Sequence, residues 1–152
     1  MTKGPAPRRL SDEALSGLLA GRHFGTLATT KRSGHPHLTT MLYNWDPQAR
    51  VARFSTTADR VKVRHLGHDP RAALHVPGDD VWSFAVVEGE AEVSEPTAEA
   101  GDAVGRELLA MLPAEARPDD EDAFLRQQVA ERRVVIRLRA RRLYGTALDI
   151  DG

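Results

Sequence analysis

The sequence predicts an α+β, mainly β domain: a closed or nearly closed β-barrel with short peripheral helices. Three observations carry this reading. Short apolar or alternating segments recur between tight turn signals, as in a barrel rather than a bundle. The stretch Val81 to Val93 alternates strictly, with Val81, Ser83, Ala85, Val87, Gly89, Ala91 and Val93 on one face and Trp82, Phe84, Val86, Glu88, Glu90 and Glu92 on the other. Helical periodicity is confined to a few brief runs.

In order along the chain, Ser11 precedes Asp12 and Glu13, and Ala14, Leu15, Leu18 and Leu19 recur at helical spacing before Gly21. This predicts a short amphipathic helix over residues 12–20 with a serine N-cap and a glycine stop. His23 to Lys31 and Pro36 to Trp45 read as two antiparallel strands joined by Arg32-Ser33-Gly34. Asp46-Pro47-Gln48-Ala49 is the next turn, leading to a third strand from Arg50 to Ser55 and then a basic helix that Asp69-Pro70 ends.

Arg71 to Val76 is the fourth strand, and Pro77-Gly78-Asp79-Asp80 turns the chain into the fifth, Val81 to Val93. The small apolar face of that strand suits a barrel interior, which places Trp82 and Phe84 on the opposite face, against a partner surface. Ala100, Ala103, Val104, Leu108, Met111 and Leu112 then form a helical stripe stopped by Pro113. Residues 114–121 form an acidic loop, and Asp122 to Glu131 a further short helix. Val134, Ile136 and Leu138 alternate with Arg133, Val135, Arg137 and Arg139 in a sixth strand, and Leu143 to Ile150 predicts a short terminal strand with a bulge or bend at Gly145.

The 152 residues fit one domain, 1–152, with residues 1–9 expected to be flexible. The chain has no cysteine, which excludes disulfides and thiolate metal sites. Neither a signal sequence nor a run of about eighteen apolar residues occurs, so a cytoplasmic location is expected. A net charge of −1, from 21 Lys plus Arg against 22 Asp plus Glu, argues against bulk nucleic-acid binding. Any anion it binds is small. The abundance of Arg, Ala, Asp and Gly fits a GC-rich bacterial genome.

The stretch from Phe54 to Arg71 carries the chemistry. An apolar strand ends in Ser55, Thr56 and Thr57, and Arg60 and Lys62 follow at the start of the basic helix. Hydroxyls, unpartnered helix N–H groups and the positive end of a helix dipole together suit a phosphate. An ordinary helix cap followed by a solvated basic face accounts for the same residues, and the segment alone does not separate the two readings.

The succession Gly25-Thr26-Leu27-Ala28-Thr29, a turn at Gly34, Pro36 to Trp45, Phe54-Ser55-Thr56 with Arg60 and Lys62, Asp69-Pro70-Arg71-Ala72 and Trp82-Ser83-Phe84 resembles the pyridoxamine 5′-phosphate oxidase-like split-barrel superfamily. The resemblance covers roughly residues 10–145 and extends to the actinobacterial F420 (deazaflavin)-dependent oxidoreductases of the B group. It implies an FMN-binding type of split β-barrel and a homodimer with two cofactor sites between subunits. It implies that Ser55, Thr56, Thr57, Arg60 and Lys62 hold the cofactor phosphate. Thr39, Thr40, Met41 and Leu42 would then lie along the ring, with Trp82 and Ser83 reaching it from the other subunit. Vitamin B6 oxidation is not expected, because the terminal Arg and His pair of true pyridoxamine phosphate oxidases has no counterpart after His75.

The resemblance implies hydride transfer between reduced F420 and an unsaturated, planar small molecule. FMN is the alternative cofactor, in an oxidase or reductase of the same superfamily. A non-catalytic barrel that binds a cofactor, haem or tetrapyrrole is the reading from a different class. The sequence names no catalytic residue, and a reduced deazaflavin, which carries its own hydride, need not require an acid or base from the protein. The pairs His35/His37 and His65/His68 do not read as a metal site, although His65 is within reach of a phosphate. Glu88, Glu90 and Glu92 read as a wet face, and Arg133, Arg137 and Arg139 as solvated or at a dimer rim.

Overall fold

The computed structural model describes residues 6–148. Its elements are β1 (Pro7–Arg9), α1 (Asp12–Ala20), β2 (Phe24–Thr30), β3 (Pro36–Leu42), β4 (Asn44–Asp46), β5 (Val51–Thr57), α2 (Val61–His68), β6 (Arg71–Pro77), β7 (Phe84–Val93), α3 (Ala103–Ala110), α4 (Glu121–Ala130) and β8 (Arg133–Leu148). The strands form one antiparallel sheet in the order β3-β2-β6-β7-β8-β5-β4, with β1 added to β8. This is a mainly β half-barrel with four short helices. β3 comes close to β5 without a hydrogen-bonded ladder between them, so the barrel stays open along that line.

Alternation drives the curl. Leu27, Phe54, Leu74, Val76, Val87, Ile136 and Leu138 all point inward and are fully buried. Each such side chain contributes about 1.5–3 kcal/mol relative to exposure. α1 closes one end: Leu15 and Leu19 pack into the core, the Tyr43 hydroxyl donates to Leu19 O at 2.6 Å, and Trp45 Nε1 donates to Ser16 Oγ at 3.0 Å. Its N-cap is Ser11, which accepts from Ala14 N–H at 3.1 Å.

α3 and α4 sit over the face of β5 and β8 that points away from the barrel. Asp102 caps α3, accepting from Gly105 N–H (2.8 Å), Thr97 Oγ1 (2.7 Å), Ala98 N–H (2.9 Å) and Glu99 N–H (3.2 Å). Burial would raise this carboxyl, but four donors outweigh it and hold the group at about 2. Among the described residues, no helix is long and apolar enough to cross a membrane.

Several expectations change. The second predicted strand breaks at Tyr43 into β3 and β4, because Tyr43 turns its ring inward to reach α1. Of residues 1–9, expected to be flexible, 7–9 pair with β8 and 1–5 lie outside the described residues. The sixth and terminal strands are one, β8, whose apolar alternation hides its length behind five exposed or half-buried arginines; Asp149 and Ile150 lie outside the described residues.

The bulge falls at Arg141, skipped between the Glu88–Arg142 and Gly89–Ala140 pairs, and not at Gly145. Gly145 is in register opposite Ala85, and it is glycine because a Cβ there would collide with the Phe84 carbonyl oxygen. β7 begins at Phe84, so Trp82 occupies the preceding turn rather than a strand face. The inward set Ala85, Val87 and Ala91 is buried as expected, whereas Glu88, Glu90 and Glu92 are exposed.

Candidate functional site

β3 organises the site because it is the terminal strand of the sheet, with one edge free of strand partners. Such an edge offers backbone N–H and C=O groups to a ligand. Its side chains alternate: His37, Thr39 and Met41 are half-buried, while Leu38, Thr40 and Leu42 are exposed.

At the C-terminal end of β3, Thr40, Met41 and Leu42 line a cavity of about 590 Å3 together with Ser55 of β5. The opposite wall is the helical hairpin, through Leu108, Met111, Leu112, Phe124 and Gln128. Of the residues the sequence reading placed along the ring, Thr40, Met41 and Leu42 line this cavity and Thr39 does not; Ser55, expected at the phosphate, lines it with them. The sequence reading did not find the hairpin wall, since nothing in an amphipathic helix says which sheet it covers. Ser55 Oγ accepts from Arg133 Nη1 at 3.5 Å, and Arg133 Nε donates to Glu131 at 2.8 Å. Arg133 and Arg137 are therefore half-buried and engaged rather than solvated; Arg137 binds Glu107.

At the other end of β3, His37 lines a second cavity, of about 410 Å3, with Lys31, Arg32, Arg64, His65 and His68. Among the described residues no carboxylate lines it. His37 and His65 meet edge to face at 5.0 Å, Thr39 Oγ1 is 3.3 Å from His37 Nδ1, and Thr29 Oγ1 is 3.0 Å from His65 Nδ1. Burial, then the neighbouring His37, Lys31, Arg64 and His68, lowers the His65 pKa below its ordinary 6.5. From His37 to Met41 the strand rises about 13 Å. One strand thus links a cationic end to an apolar cleft.

The phosphate motif is arranged differently from its sequence reading. Ser55, Thr56 and Thr57 are not at a helix N-terminus but in β5, paired with Val135, Val134 and Arg133. Strand alternation separates them: Thr56 is buried on the barrel side, while Thr57 Oγ1 donates to Asp59 at 2.6 Å. α2 starts only at Val61, with Arg60 at its N-cap position making no side-chain cap.

Lys62 is 7% exposed, and among the described residues no carboxylate forms an ion pair with it or with Arg60. Burial first, then Arg60, lowers the Lys62 pKa. Arg60 and Lys62 line neither cavity. Trp82 and Ser83 also stand apart from the cleft within one chain: Trp82 is 51% exposed, its carbonyl accepting from Thr146 Oγ1 at 2.8 Å, and the Ser83 carbonyl accepts from Gly78 N–H at 2.6 Å. Among the described residues no group of three or more His, Asp or Glu could hold a metal ion.

An antiparallel half-barrel open between β3 and β5, with a cleft on the free edge, defines the split-barrel class. The family profile described as pyridoxamine 5′-phosphate oxidase matches residues 11–147, and the chain belongs to that family. It is 30% identical over 143 residues to the F420H(2)-dependent biliverdin reductase of Mycobacterium tuberculosis (strain CDC 1551 / Oshkosh), covering 94% of this chain and 93% of that protein. The crystal structure of conserved hypothetical protein Rv2991 from Mycobacterium tuberculosis superposes with a TM-score of 0.72 at 25% identity, over 99% of this chain and 98% of the other. A structure named F420 reductase gives a TM-score of 0.60 at 26% identity, over 84% and 94% of the two chains.

Proposed function

We propose that the chain is a cytoplasmic F420-dependent oxidoreductase that passes a hydride between reduced F420 and an unsaturated small molecule. The observation that carries this reading is the bipartite site along β3, a cationic end at His37 and an apolar cleft at Thr40 to Leu42. The similarity to an F420H(2)-dependent reductase over nearly the whole chain supports it. The donor set fits such a ligand. A buried lysine without a carboxylate partner is costly in a free protein and is offset when an anion arrives.

When bound, reduced F420 would supply the hydride. The chain's own residues bind and orient. Lys62 and Arg60, the chain neighbours of Val61 in the cationic cavity, would neutralise the phosphate, and the free edge of β3 at Thr39 to Leu42 would hold the ring through backbone hydrogen bonds. Leu108, Met111 and Phe124 would exclude water from the side of the cleft where the acceptor enters. Holding donor and acceptor in a near-attack arrangement is the main contribution asked of the protein.

The reading includes a homodimer with its cofactor sites between subunits. Phe24 and Leu42 are direct cross-strand neighbours and are 56% and 73% exposed, with Leu38, Val81, Trp82 and Tyr144 also exposed. Apolar exposure on this scale favours a protein partner, and a second copy would bring Trp82 and Ser83 of the partner subunit to the cleft.

Titrating the protein into F420 and, separately, into FMN tests the cofactor. Quenching is expected mainly for F420, and tight FMN binding alone would replace this reading with a flavin enzyme. Steady-state oxidation of F420H2 with enones, quinones and biliverdin tests the reaction. Affinity without turnover across that panel would make the barrel a cofactor-binding protein.

A further inference from the structure

The cleft between β3 and the α3–α4 hairpin has an uneven lining. One side is apolar, through Met41, Leu42, Leu108, Met111, Leu112 and Phe124, and Arg133 is the sole guanidinium lining it among the described residues. Arg133 is not loose. Its Nε is fixed on Glu131 at 2.8 Å, Glu131 is itself held by Gln127 Nε2 at 3.0 Å, and Nη1 rests on Ser55 Oγ at 3.5 Å. The side chain is 31% exposed, so the guanidinium is oriented by the fold before any ligand arrives. Glu131 consumes one edge of the fork, and a guanidinium has five N–H donors.

Arginines in this chain do serve two carboxylates at once. Arg137 bridges Glu107 and Glu92, and Arg53 bridges Glu107 and Asp46. Among the described residues Arg133 has one carboxylate, Glu131, and no second. The lining also contains Glu115, which is exposed, and His23, likewise exposed; neither pairs with Arg133.

We infer that this cleft takes an acceptor with a flat apolar body and a carboxylate, and that Arg133 anchors that carboxylate through the N–H groups Glu131 leaves unused. The substrate class is thus an unsaturated organic acid rather than a neutral enone or quinone. Arg133 acts as a specificity residue: the charge-assisted bonds hold the acid end, and the apolar wall accepts the rest. The inference rests on the reading of this cleft as a reductase site in which the acceptor lies between the β3 edge, where the ring would sit, and the hairpin wall, and its test separates the two.

The test is direct binding of biliverdin, which carries two propionate carboxylates, and of biliverdin dimethyl ester, which carries none, followed by absorbance without cofactor. Wild type should bind the acid at least tenfold more tightly than the ester, and Arg133→Met should lose most of that preference while still binding the ester. Arg133→Lys keeps the charge but not the fork, and should retain only part of the preference; it also supplies a readout should Arg133→Met fold poorly. Equal affinity for acid and ester in wild type, undiminished preference in Arg133→Met, or no binding of either pigment would each overturn the inference. Quenching of F420 by the wild type is measured separately, and its absence would remove the cofactor reading while leaving the acid-site result to stand or fall on its own.

Discussion

Glu107 of α3 grips Arg137 of β8 through both carboxylate oxygens, at 2.8 Å from Nε and 2.5 Å from Nη2, and so ties the helical hairpin to the sheet. Arg53 of β5 joins the same carboxylate at 2.9 Å. The hairpin forms one wall of the cleft, so this small network sets the width of the site.

Glu107→Gln should therefore destabilise the fold by about 2 kcal/mol, because it leaves two half-buried guanidinium groups facing an amide. The pH dependence follows. The bond from Arg137 and, against burial, that from Arg53 lower the Glu107 pKa from 4.5, so its stabilisation is complete above 4.5 and is lost as pH falls through the lowered folded value. Urea unfolding of wild type and variant should differ near neutrality and converge well below the ordinary carboxylate range. Equal midpoints near neutrality would show that the network does not hold the hairpin.

The barrel was legible where one face is purely apolar. Leu27 and Leu74 alternate with polar or small neighbours, so strand and inward face could be read from period two. Long-range features were not. Whether Leu143 continues the strand of Ile136 depends on the pairing of both with β7, and whether Leu108 covers β8 or another strand depends on Glu107 finding Arg137. At the site, the β3 segment was readable as a strand, but the hydroxyl run was misread as a helix cap. Three extended residues still pair with β8 before the chain turns at Ala58. The cluster of His37 with His65 joins residues 28 positions apart and leaves no local trace.

Trp82 is half exposed in a turn and outside the core, so Trp82→Ala should change monomer stability by no more than about 0.5 kcal/mol. Phe24→Glu places a charge in the exposed apolar pair with Leu42. Both variants should shift sedimentation velocity toward monomer, Phe24→Glu more strongly. A wild-type chain that sediments as a monomer at high concentration would remove the dimer, and severe unfolding of Trp82→Ala would place that side chain in the core.

His65 should report on the anion. Burial and the surrounding cations lower its pKa below 6.5, so the unfolded chain holds more protons between 6.5 and the folded value, and the free protein loses stability as pH falls through that window. An anion in the cavity reverses the electrostatics and should raise the His65 pKa, so affinity for it grows as pH falls. Proton NMR titration with and without inorganic phosphate measures this. A His65 resonance whose midpoint is unmoved by phosphate would mean that the cavity does not hold the anion.

Arg60 and Lys62 separate the phosphate reading from a solvated basic face most directly. Lys62 is buried without a carboxylate partner and Arg60 is exposed, so removing each charge has a different consequence for the fold. Lys62→Met keeps the length of the side chain and deletes an uncompensated charge, and the free protein should be as stable as wild type or more so. Arg60→Ala should alter stability by no more than about 0.5 kcal/mol. Cofactor affinity should nevertheless fall in both, by about 1.5–3 kcal/mol, the usual contribution of a hydrogen bond to a charged group, or roughly tenfold and more. Arg60→Lys should recover only part of the loss, because an ammonium cannot reproduce the planar fork. Added salt should weaken binding by the wild type more than by either variant, since screening acts on the charges the substitutions remove. Calorimetric titration of F420 into wild type and all three variants at two salt concentrations reads the affinities, and urea unfolding of the free proteins reads the stabilities. Unchanged affinity in both Lys62→Met and Arg60→Ala would retire the phosphate site and leave α2 as a basic helix that only closes the barrel.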